Sequence, residues 1–156
     1  NMAPRQHMRK MKVGKVTFTE AYKAVHEYRQ KFPEKAVTFY AQNYPAMGWA
    51  VFMAGGSCPV IPCTDKAFLK DAAAMEVEET DTDNYKKMVK SDIGSIIYSK
   101  SGTEIPVQLS SGKYALKYIH PASGKIETIN KSLKINELYN LKVPDKKEGI
   151  YWFHKL

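Results

Sequence analysis

Between Ile93 and His154 short apolar runs recur at intervals of about ten residues, most of them parted by a glycine or serine turn. Ile93 to Ser99 is the first and is stopped by Lys100-Ser-Gly102. Glu104 to Leu109 alternates, with Ile105, Val107 and Leu109 on one face, and stops at Ser110-Ser-Gly112. Lys113 to His120 sets Tyr114, Leu116 and Tyr118 against Ala115, Lys117 and Ile119. Pro121-Ala-Ser-Gly124 reads as a hairpin turn with its glycine last, and Lys125 to Ile129 as the returning strand. Leu133 to Leu141 is mixed, and Gly149 to His154 is a final strand. Period-two segments of this length bury one face each, so the back half is expected to be an antiparallel sheet or small sandwich.

The front half has a different texture. Thr17 and Glu20 have capping-box spacing, and a helix is expected from Glu20 to Lys31 with Ala21, Ala24, Val25 and Tyr28 at helical intervals, ended by Phe32-Pro33. Lys35 to Ala41 is β-rich and nearly continuous, as in a strand buried on both faces of a parallel sheet. Gly48 to Ala54 is apolar all round and reads as a buried helix starting near Pro45 or Ala46, stopped by Gly55-Gly56. A short strand is expected at Cys58 to Ile61, then a helix from Lys66 to Met75 capped by Thr64 or Asp65. This is the rhythm of parallel βα units, which makes the front half α/β. Glu76 to Lys90 is a polar, acidic seam. The expected organisation is a partial βα region over residues 1–78, the seam at 79–87 and an antiparallel β domain over 88–156.

The net charge of +8 raises the question of a polyanion partner, but only Arg5 to Lys15 is dense in cations and the others are dispersed. Dispersed lysines read as a solvated surface, so no nucleic-acid partner is expected. The longest apolar stretch, Ala46 to Ala54, is far short of the roughly 20 residues of a membrane span. A residue ahead of Met2 points to an internal fragment or a cloning scar.

Cys58 and Cys63 are four residues apart with prolines between them and no histidine nearby, which fits neither a zinc clamp nor a two-residue redox motif. They read as small buried apolar residues, with a disulfide as the alternative. His7, His26, His120 and His154 have no local metal or nucleophile spacing, and no metal or cofactor is expected. Gly55-Gly-Ser57 lacks the residues that complete a phosphate loop or a nucleophile elbow.

The most suggestive local set is Tyr40, Gln42 and Asn43 with Trp49 close by. After a parallel strand this loop would lie where α/β folds place ligands. Amides exchange hydrogen bonds with hydroxyls and aromatic rings cover C–H faces, so these four residues are candidate carbohydrate contacts. Equally, Trp49 reads as core and Gln42-Asn43 as a turn. No carboxylate pair sits in these loops, so no catalytic residue is assigned.

The run from Lys35 through Met75 resembles the closing units of a glycoside-hydrolase barrel of the type common in gut Bacteroidetes, related to apiosidase-like and collagenase-like hydrolases. The tail resembles that group's C-terminal β-sandwich, described as collagen-binding. The matching residues are Ile96-Ile-Tyr98, Gly112-Lys-Tyr114, Tyr118-Ile-His-Pro121-Ala-Ser-Gly124 and Gly149-Ile-Tyr-Trp-Phe153. The resemblance implies a front half made of the last βα units of a TIM-like barrel or a remnant of one, followed by a β-sandwich. It implies a C-terminal part of a glycoside hydrolase acting on polysaccharide, in a periplasmic or extracellular parent. Where such barrels commonly carry a catalytic Glu, this chain has Ala41-Gln42-Asn43, so the segment itself is expected to be inactive. The alternative is a non-catalytic module binding carbohydrate or protein. A partial barrel would expose an edge and apolar helix faces, which implies self-association or contact with the remainder of the barrel.

Overall fold

The computed structural model describes residues 16–39, 45–100, 102–145 and 147–156. Among these residues three helices come first: α1 (Phe18–Lys31), α2 (Pro45–Met53) and α3 (Lys66–Ala74). Eight strands follow: β1 (Glu76–Glu78), β2 (Tyr85–Lys90), β3 (Gly94–Ser99), β4 (Glu104–Gln108), β5 (Gly112–Ile119), β6 (Ile126–Ile135), β7 (Leu138–Lys142) and β8 (Gly149–Lys155).

The helices start and stop where their sequences dictate. The Thr17 hydroxyl accepts the Glu20 N–H at 3.2 Å, and the Glu20 carboxylate accepts the Thr17 N–H at 2.8 Å. This satisfies two donors that a helix start otherwise leaves orphaned. The Asp65 carboxylate caps α3 by accepting the Phe68 N–H at 2.8 Å. α2 begins with a proline and ends at Gly55, whose φ of +71° suits a residue without Cβ. Gly48, inside α2, has a different purpose. A Cβ there would lie 1.7 Å from the Val60 carbonyl oxygen, so its absence lets α2 lie directly on the 58–61 segment.

Six strands form one sheet in the order β1-β2-β3-β8-β5-β6, and β4 and β7 form a second. Alternation divides the large sheet into two apolar faces. Ile96, Tyr98, Ile119, Ile150 and Trp152 join the helices in one core. Trp49 sits within it, edge-on to Phe52 and Phe68, and Phe68 meets Trp152 edge-on at 5.4 Å between centroids. Ile97, Leu116, Tyr151 and Phe153 face the other way and pack on Ile105, Val107 and Leu141 of the small sheet. The layers therefore run helices, large sheet, small sheet.

This overturns the α/β expectation for the front half. Every strand pairing among the described residues is antiparallel. Among the described residues there is no βα unit and no barrel end. Residues 36–39 belong to no strand; Ser57 N–H donates to the Val37 carbonyl at 2.7 Å, and Val37 and Phe39 lean on the helical core while Ala36 and Thr38 are exposed. Tyr40 and Ala41 lie outside the described residues. The expected strand at 58–61 is a loop whose Val60 is 75% exposed. Neither segment is a buried strand, because β propensity reports a fit to a pleated surface and cannot supply the neighbouring strand. Without a barrel remnant, the barrel edge that suggested self-association is also gone.

The cysteine reading holds for one residue only. Both thiols are free; Cys63 is buried, which pushes its thiol up, whereas Cys58 is exposed with φ +52°. Residues 76–78 and 85–90 of the acidic seam are strands β1 and β2, which the sequence reading missed.

Candidate functional site: a groove between the helices and the sheet edge

A cavity of about 610 Å³ lies where the C-terminal half of α1, the end of α2, α3 and the edge strand β1 converge. Its floor is apolar, with Phe52, Ile61, Met75 and Met88. The glycines of the Gly55-Gly56 turn line it too, and a Cβ on Gly56 would come within 2.6 Å of a Val51 methyl. One wall is the exposed side of α3, where Leu69 is 41% exposed. The rim from α1 carries His26, Arg29 and Gln30, and β1 contributes Glu76. Volume and lining match the usual form of a small-molecule site, an apolar concavity with a few converging polar groups.

The rim groups are held in place. Gln30 donates to the Glu79 carboxylate at 2.5 Å, and His26 Nε2 lies 3.7 Å from the same oxygen. The His26 ring stacks on Tyr22. Arg29 donates to the carbonyls of Pro33 and Lys35, at 3.1 and 3.0 Å. Such groups are fixed donors and acceptors. Of the residues lining the groove only Glu76 bears a carboxylate, whereas glycoside hydrolysis usually takes an acid and a second carboxylate flanking the bond. Among the described residues no three His, Cys, Asp or Glu side chains gather as metal ligands.

The far side of α3 is bolted to the sheet by a buried polar cluster. Asp71, 8% exposed, accepts through one oxygen from the Trp152 indole N–H at 2.9 Å and meets His154 Nδ1 at 2.7 Å. The Lys117 ammonium lies 4.0 Å from the Trp152 ring centroid. The cluster fixes α3, and with it the groove wall, on β8 and β5. A second bolt runs from the Trp49 indole to the Pro121 carbonyl at 2.8 Å.

Of the four residues singled out in the sequence only Trp49 lies among the described residues. Trp49 is fully buried and its N–H is bonded to the Pro121 carbonyl, so its ring packs in the core. Tyr40, Gln42 and Asn43 lie outside the described residues, as does His7. His154, read as solitary, has its partner 83 positions away. The groove residues His26, Gln30, Leu69 and Val77 were missed, since they are ordinary helix and strand residues made into a site only by tertiary packing. Gly55-Gly56 was the one local signal, and it was read as a helix stop, which it also is. No helix of the described residues is long and apolar enough to cross a membrane.

A family model described as "Domain of unknown function (DUF6298)" matches residues 1–75. No curated protein matches the chain. A solved structure titled "Glycoside hydrolase" is similar over 52% of this chain at 14% identity and a TM-score of 0.36. The matched region spans 19% of that protein's length.

Proposed function

We propose that this chain is a non-catalytic, carbohydrate-binding part of a larger carbohydrate-active protein, and that the groove beside α3 is its binding site. The observation that carries the reading is the groove's composition: an apolar floor faced from one side by fixed amide, imidazole and guanidinium groups. A sugar ring has the matching form, with an apolar C–H face and polar edges. The motifs that carry the sequence resemblance support the same reading. Tyr118 to Gly124 and Gly149 to Phe153 lie on β5, its turn and β8, where Pro121 and Trp152 anchor the helical layer that walls the groove.

The test is affinity electrophoresis and calorimetry of the chain against a panel of soluble polysaccharides and neutral oligosaccharides. Binding is expected, and Leu69→Glu, which puts a charge into the apolar wall, is expected to weaken it about tenfold while leaving the unfolding midpoint near that of the parent. A panel without a single binder sinks the reading, and so does release of reducing sugar by the isolated chain.

A further inference from the structure

A second cavity lies on the opposite side of the large sheet, between its outer face and β7. It measures about 390 Å³, within the range of small-ligand sites. Leu116, Leu141 and Tyr151 form its apolar floor, and Tyr139 and Asn140 of β7 stand at its wall. Tyr139 is half-buried and its ring meets Phe153 edge-to-face at 5.7 Å. The two charged side chains that line the cavity are both cations, Lys142 and Lys147. Glu104 is the cross-strand neighbour of Lys142, yet among the described residues neither lysine is in an ion pair.

The wall bearing Lys147 is built rigidly. Tyr151 donates its hydroxyl to the Lys147 carbonyl at 3.2 Å and Tyr118 donates to the Glu148 carbonyl at 2.9 Å. Tyr98 donates to the Glu148 carboxylate. Three tyrosines from three neighbouring strands thus tie this turn to the sheet, and the Lys147 ammonium rests 4.4 Å from the Tyr118 ring centroid. A pre-positioned cation spends less of its binding free energy on ordering.

We propose that this cavity binds a carboxylated sugar, a uronic-acid unit of an acidic glycan, with the ring against Tyr139 and the apolar floor and the carboxylate between Lys142 and Lys147. Charge complementarity selects this occupant. A neutral sugar leaves both ammonium groups unanswered, and a bare phosphate or acetate leaves the apolar floor uncovered. Asn140 supplies an amide for a ring hydroxyl. The inference extends the carbohydrate reading to a site on the other face of the sheet.

The experiment is titration of the chain with digalacturonate, its neutral counterpart digalactose, and inorganic phosphate, at low and high salt, followed by calorimetry and by backbone chemical-shift mapping. Digalacturonate is expected to bind about tenfold tighter than digalactose, with shifts centred on Tyr139 and Asn140 and with weakening in salt. Lys147→Gln and Lys142→Gln are each expected to weaken the acid several-fold and to leave digalactose unchanged; Leu69→Glu, across the sheet, is expected to leave digalacturonate binding unchanged. Equal affinity for the acid and the neutral sugar, equal affinity for phosphate, or undiminished acid binding by both lysine variants overturns the proposal. The two readings fail separately. Acid shifts at the α3 groove that Leu69→Glu removes sink this site and keep the groove, whereas binding at Tyr139 with a groove silent to every neutral sugar keeps this site and sinks the groove.

Discussion

At the scale of single residues the buried Asp71 carboxylate is the most consequential polar group described. It serves two N–H donors from one strand, the Trp152 indole and His154 Nδ1. Asp71→Ala removes the acceptor and leaves the indole N–H buried with no partner, which is expected to cost about 2–3 kcal/mol, near the upper end for an unsatisfied buried donor because the lost acceptor is charged. Urea unfolding followed by tryptophan fluorescence reads this directly. A loss below about 0.5 kcal/mol, the scale of ordinary surface substitutions, would mean that α3 is held by apolar contact alone. The residue scale is also where the sequence is least legible. Thr17 and Glu20 are three positions apart, so their reciprocal bonds follow from spacing. Asp71 and His154 are 83 apart, and nothing local distinguishes either from a solvated residue.

Helices were legible as elements because their signals are local. α1 is a case where the local chemistry also gives a pH dependence. The Thr17 N–H and hydroxyl bond the Glu20 carboxylate and hold its pKa below the ordinary glutamate value of 4.5. A carboxyl depressed in the folded state contributes stability that is present above its unfolded pKa and lost as pH falls through the folded one. The N-terminus of α1 is therefore expected to loosen as pH falls below the ordinary glutamate value, and Thr17→Ala, which removes the cap, to destabilise by about 1 kcal/mol at neutral pH. Amide exchange at the first turn checks this: protection that is unchanged from pH 6 to pH 3 would show that the cap carries no stability. Strands were legible only in part. Ile105, Val107 and Leu109 alternate and lie on one buried face. The 36–39 segment has strand-like residues and no partner strand among the described residues, while Lys86 and Lys87 of β2 are charged and buried, so β2 reads as surface. The Lys86 ammonium is accepted by the Thr82 carbonyl at 2.7 Å and lies 4.8 Å from the Tyr22 ring centroid, and burial lowers its pKa. No pattern of hydropathy announces a strand of this kind. The groove shares that opacity, being assembled from α1, α2, α3 and β1.

Across the whole molecule, four tyrosines tie the layers to one protonation state. Burial, followed by the Glu79 charge, pushes the Tyr22 hydroxyl from 10.0 up to about 12, and burial, followed by Tyr118, does the same for Tyr151. Tyr118 is raised as well, and Tyr98 most of all, by burial and then by its bond to Glu148. Tyr22 and Tyr98 belong to the core between helices and sheet, and Tyr118 and Tyr151 to the core between the sheets. A phenol whose folded pKa is raised contributes stability that is fully present below its unfolded value, near 10, and lost as pH rises through the folded value. Alkaline unfolding is thus expected between about pH 10 and 12 and to be steep, since several phenols release protons together on exposure. Because β3 and β8 present one face to each core, ionisation in either core breaks the sheet that both share. Tyrosinate absorbance, helical ellipticity and near-ultraviolet ellipticity are therefore expected to change with one common midpoint. Helical ellipticity that survives after the tyrosines of the outer core have titrated would show that the two cores unfold independently. Tyr22→Phe and Tyr151→Phe localise the effect, since each removes one raised group and is expected to move the alkaline midpoint upward, whichever core it sits in.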